Sequence, residues 1–103
     1  MGGFSMTSAD AFVWRHGRAE VTLSRAGDSW TVVYRSTTRL LGPRQVLYRH
    51  RHRHPTYAAW DVMARVVIAS RDEDEGLRAG RSAARWIKTS PANREAVEPE
   101  PEA

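Results

Sequence analysis

The chain has no cysteine, and only one of its sixteen basic residues, Lys88, is a lysine. Without cysteine there is no disulfide, no thiolate nucleophile and no Cys-ligated zinc or iron–sulfur site. A small domain without disulfides fits a reducing cytoplasm. No run approaches the ~20 apolar residues needed to cross a bilayer, and no charged-then-apolar segment opens the chain as a secretory signal would. The expectation is a cytoplasmic protein with no membrane partner. The glycine-rich phosphate loop, G-x-S-x-G and H-E-x-x-H are also missing. The acids ahead of the helical region, Asp10, Glu20 and Asp28, stand apart from one another. Asp72-Glu73-Asp74-Glu75 reads as a solvated helix start, and such clusters hold Mg²⁺ weakly without a substrate phosphate. These absences predict a protein that is not an enzyme and carries no cofactor or small-molecule substrate.

What the chain does have is arginine. Its Arg-for-Lys bias fits a GC-rich genome, as in actinobacteria and their phages, and it has a physical consequence. Guanidinium forks bind phosphates and carboxylates in bidentate fashion and stack on rings, which ammonium groups do poorly. The net charge of +4 is unevenly spread. Residues 1–71 hold eleven Arg against four acids, a balance of +7, and residues 72–103 hold five bases against eight acids, a balance of −3. The partner expected for the folded part is therefore an anion. A hydrophobic fraction of 41% with four Trp fits one folded domain.

Residues 1–10 show no period and read as a flexible tail. From about residue 12 the pattern is β-like. Ala19–Ser24 alternates apolar and polar residues, Ala26–Ser29 has hairpin-loop composition, and Trp30, Val32 and Tyr34 fall on one face. After a longer connection around Gly42-Pro43, Gln45–His50 starts a further strand that can run on through the Arg/His tract. Pro55 suits a first helical turn, and Trp60, Ala64, Val67 and Ile68 predict one apolar stripe facing the sheet. Asp72 and Glu75 have capping-box spacing for a second helix, with Leu77, Ala83, Ala84 and Ile87 as its apolar side and Gly76 and Gly80 weakening it. Past Pro91 the alternating Pro and Glu cannot pack a core. The predicted organisation is a flexible tail (1–10), a single α+β domain (11–89) and a disordered acidic Pro/Glu tail (90–103). The domain is an antiparallel three- to four-stranded sheet (about 12–53) packed by one main helix (about 55–70), with a second helix over about 73–88.

Arg49-His50-Arg51-His52-Arg53-His54 is the most unusual stretch. On a strand its arginines share one face and its histidines the other, with neighbours on a face ~6.6 Å apart. A metal site on His50, His52 and His54 is conceivable, although the flanking guanidinium groups repel a divalent cation. A solvated strand end is the plainest reading, followed by phosphate contact through Arg49, Arg51 and Arg53. Arg15, Arg18, Arg35 and Arg44 would support that contact, with Trp14 or Tyr48 among them on an open sheet face. Trp60 and Trp30 are expected in the core, while Trp86 would anchor either its own helix or a partner chain. The Asp72–Glu75 run, alternatively, meets the Arg tract in the same or another molecule.

Gly27-Asp28-Ser29-Trp30-Thr31-Val32-Val33-Tyr34-Arg35, followed by an Ala- and Trp-containing helix, resembles the three-strand-plus-helix DNA-binding domains at the start of tyrosine recombinases, over about residues 19–70. The resemblance implies DNA as partner. The chain departs from it by a helix after residue 72 and a longer connection before its third strand. The leading expectation is thus a small basic nucleic-acid-binding accessory protein. The alternative is a non-enzymatic interaction module that forms a homodimer or binds an acidic partner.

Overall fold

The computed structural model describes residues 4–7, 11–37 and 42–89. Five antiparallel strands in the order of the chain form one sheet: β1 (Phe4–Thr7), β2 (Ala11–His16), β3 (Ala19–Ala26), β4 (Ser29–Ser36) and β5 (Gln45–His52). Two helices follow, α1 (Pro55–Ser70) and α2 (Glu73–Thr89). The α+β class and the order of sheet then helices are as the sequence predicts, but the sheet is one strand wider. β1 pairs with β2 from Phe4↔Arg15 to Thr7↔Phe12, inside a segment expected to be a tail. The rest of that tail, the middle of the β4–β5 connection and the acidic segment 90–103 lie outside the described residues.

Glycine sets both tight hairpins. Gly17-Arg18 and Gly27-Asp28 are two-residue loops, and among the four only Gly17 (φ 59°) and Gly27 (φ 65°) have positive φ. That is the type II′ pattern, whose twist matches paired strands. Alternation then sorts the faces. Phe12, Trp14, Val21, Leu23, Trp30 and Val32 pack with Ala58, Val62 and Val66 of α1 and Ala79, Ala83, Trp86 and Ile87 of α2 in one core. α1 lies over β3–β5 and α2 over β1 and β2, so both helices cover one face.

The helices depart from expectation in which side they bury. α1 turns Ala58, Ala59, Asp61, Val62 and Val66 inward, while Trp60 is 60% and Ile68 55% exposed. The stripe expected to face the sheet is largely the outward one. α1 is apolar nearly all round, so its period alone does not select a face. Small Ala58 and Ala59 permit close approach, and Asp61 is drawn inward by partners on β5. In α2, Leu77 is 43% exposed and the buried side is Gly76, Ala79, Ala83, Trp86 and Ile87. Trp86 is thus a core residue, 5% exposed, which removes it as a partner-binding anchor.

Asp72 caps α2, its Oδ1 accepting the N–H groups of Asp74 (2.9 Å) and Glu75 (3.2 Å). Glu75 also turns into the core. It is 4% exposed, accepts the indole N–H of Trp14 at 2.7 Å and pairs with Arg78 at 2.6 Å. Asp72 and Glu75 are thus engaged by their own helix and the core, Glu73 and Asp74 are exposed, and among the described residues no ion pair joins the run to the Arg tract. Gly76 and Gly80 fit a close helix crossing. A Cβ at 76 would overlap Val67 Cγ2 and sit 3.1 Å from the Met63 carbonyl oxygen, and one at 80 would lie 3.0 Å from Met63 Cβ.

Candidate nucleic-acid interface

Among the described residues β5 is an edge strand paired with β4 alone, and the pairs Val33↔Arg49, Thr31↔Arg51 and Val32↔His50 fix its faces. Val32 is fully buried beneath the helices, so His50 and His52 share the helix side, and Arg49 and Arg51 lie on the outer face. Arg53 follows just past the strand, and all three arginines are exposed. Among the described residues none of the three makes an ion pair. Arg18, in the β2–β3 turn, is likewise exposed and unpaired.

The other expected contacts are partly spent. Arg15, Glu20 and Arg35 form one rung across β2, β3 and β4. Glu20, 8% exposed, pairs with Arg15 at 2.8 Å and Arg35 at 3.5 Å, leaving that rung with a single net positive charge. Arg44 donates to the carbonyl oxygens of Arg18 (3.0 Å) and Gly17 (3.3 Å), tying the start of β5 to the β2–β3 turn. The outer face between these arginines is small and shallow: Val13, Thr22 and Val33 on one rung, Ser24 and Thr31 on the next. Trp14 and Tyr48 are not there. Trp14 is buried under α2, and Tyr48 faces α1, its hydroxyl donating to Asp61 Oδ2 at 2.7 Å. Neither of the two rings expected on the outer face, Trp14 and Tyr48, is therefore available there for base stacking.

The histidine side serves the fold. His52 Nε2 donates to Asp61 Oδ2 at 2.7 Å, Arg65 lies 3.4 Å from Asp61 Oδ1, and the Arg65 guanidinium sits 4.1 Å above the Tyr48 ring. His50 packs at a tilt against His52, with ring centroids 4.4 Å apart. His54 turns to Tyr57, 5.5 Å away. The metal site on His50, His52 and His54 is therefore not assembled: one histidine is committed to Asp61 and another points elsewhere. Among the described residues no three His or acidic groups are placed to hold a metal ion. Asp61 was missed as a site residue. Its signal is a lone acid among apolar residues of α1, a placement that requires buried partners.

Comparison with family models, with curated proteins and with solved structures found no match. The likeness to recombinase DNA-binding domains gains no support from it, and the five-stranded sheet and second helix differ from that three-strand pattern.

The Asp61 cluster has a measurable consequence at high pH. The Tyr48 hydroxyl is pushed above its ordinary value by burial, then by its hydrogen bond to Asp61 and the Asp61 charge, with Arg65 opposing. A neutral Tyr48 is favoured in the fold, whereas the unfolded chain ionises it near pH ~10. Its contribution is complete below that pH and is lost as pH rises through the higher folded value. Tyr48→Phe should cost about 1 kcal/mol at neutral pH. In urea melts the gap between the two proteins should shrink above pH ~10; a gap constant to pH ~11 would contradict the coupling.

Proposed function

We propose that the chain is a non-enzymatic nucleic-acid-binding protein that contacts phosphates through the outer face and end of β5. The observation that carries this reading is the row Arg49, Arg51 and Arg53, exposed and without an ion pair among the described residues, while Arg15 and Arg35 share Glu20. Three unspent guanidinium groups on alternate residues match a phosphate backbone, each able to donate two parallel hydrogen bonds. Arg18 and the residual charge of the Glu20 rung extend the positive edge.

Fluorescence anisotropy with labelled random DNA and RNA at two salt concentrations tests the reading. Three phosphate contacts on duplex give a log–log salt slope of about −2.7, roughly a 40-fold loss of affinity between 50 and 200 mM salt. Replacing Arg49, Arg51 and Arg53 together with Ala should weaken binding to all sequences and remove about 2.7 of the slope. Unchanged affinity in that variant would remove the proposed role.

A specific observation favours a second reading, a protein-interaction module: Tyr57 is 54% and Trp60 60% exposed on α1. Monomeric domains seldom present such aromatic surface without a use for it.

A further inference from the structure

An open groove of about 540 Å³ runs between α1 and α2 on the side away from the sheet, lined among others by Trp60, Met63, Leu77 and Ile87, with Arg81 and Lys88 beside them. Trp60 and Leu77 are both substantially exposed there. The helices have 16 and 17 residues, so each is roughly 25 Å long, and a packed pair presents a face roughly 20 Å wide. That is a modest interface, of the size found in weak and transient associations.

We propose that a second copy of this chain covers this groove, forming a two-fold dimer in which the α2 helices run antiparallel. The argument rests on how α2 distributes charge. Its first turn carries Glu73 and Asp74, and Arg85 and Lys88 stand near its end. Asp74, Arg81 and Lys88 are spaced by seven residues, close to two full turns, so they share a stripe with Leu77 and Ala84 nearby. A two-fold axis crossing α2 between Gly80 and Arg81 sets Asp74 of one copy beside Arg85 and Lys88 of the other, and does so twice. The same axis sets Leu77 against Ala84. A surface that complements itself in this way is what a two-fold contact requires. The chain's own segment 90–103 is a poorer occupant. Its glutamates match the lysine and arginines, but Val97 is its only apolar side chain larger than alanine apart from proline, too little to cover Trp60 and Leu77.

Sedimentation equilibrium of the full chain tests this directly. The mass should rise from 11.6 kDa toward twice that value over the micromolar range. Leu77→Glu and Trp60→Ala, both at exposed positions and checked by circular dichroism for an intact fold, should each weaken association roughly 30-fold. Lys88→Glu should weaken it, and adding Asp74→Lys should restore it, which a general loss of stability would not do. A monomer at every concentration overturns the proposal. So does a dimer indifferent to Leu77 and Trp60, or one that forms only after Glu95, Glu98, Glu100 and Glu102 are changed to Gln, which would put the tail in the groove. None of these outcomes depends on Arg49, Arg51 and Arg53, so the dimer and the nucleic-acid reading fail separately.

Discussion

Trp14→Ala is expected to destabilise the protein by about 4–5 kcal/mol. The indole is 1% exposed, in the middle of the core, and two losses follow from its removal. Truncating so large a buried ring leaves a cavity that rigid neighbours on β3 and the helices only partly fill. The Glu75 carboxylate also loses its 2.7 Å indole donor, and a buried charged acceptor left short of a partner costs about 1–3 kcal/mol. Domains of this kind are stable by only about 5–15 kcal/mol, so the variant should lie close to its unfolding transition at room temperature. Trp14→Phe separates the two losses, since it keeps most of the ring and removes only the donor. Urea melts should place it about 2 kcal/mol below the parent. A Phe variant as stable as the parent would show that the Trp14–Glu75 bond contributes nothing.

The glycines of α2 give the second large effect, and its sign is decided by competition. Alanine is the better helix former by about 1 kcal/mol, so propensity alone predicts that Gly76→Ala stabilises. The methyl would, however, overlap Val67 Cγ2, with the Met63 carbonyl oxygen 3.1 Å behind it. Valine in a helix is held to one rotamer, so relief requires the helices to move apart, and such overpacking costs about 1–3 kcal/mol. Crowding outweighs propensity: Gly76→Ala should lower stability by up to about 2 kcal/mol after the propensity gain is counted. At Gly80 the closest atom is Met63 Cβ at 3.0 Å, which a small shift relieves, so Gly80→Ala should be near neutral. Thermal melts of the two variants should therefore diverge. If both rise together, the helices cross less closely at these glycines than Val67 and Met63 imply.

Much of this architecture can be read in the chain, for identifiable reasons. Gly17 and Gly27 mark hairpin loops because only glycine adopts their backbone angles without strain, and the alternation of Val21 with Leu23 and of Trp30 with Val32 fixes the covered face. Pro55 and Asp72 mark the helix starts, which lie where those residues predict. β1 escapes because four residues carry too short a pattern to register. α1 misleads because an apolar helix has no polar side to orient it, and what turns it is Asp61, pulled toward Tyr48 and His52 by bonds between residues nine and thirteen apart. The candidate site divides in the same way. The alternation of Arg and His along β5 was visible, since it needs only a two-residue period. That Glu20 would absorb Arg15 and Arg35 was not, because a cross-strand rung depends on the register of three strands.

The neighbour-to-neighbour order of the strands also bears on how the molecule comes into being. Each strand meets its partner a few residues after it leaves the ribosome, so the sheet can assemble in the order of synthesis without waiting for distant segments. The helices that shield its greasy side are made last. Until they arrive, the nascent sheet would be a half-finished sandwich, and the arginine-laden final strand at its edge would be the element that keeps such intermediates from sticking to one another.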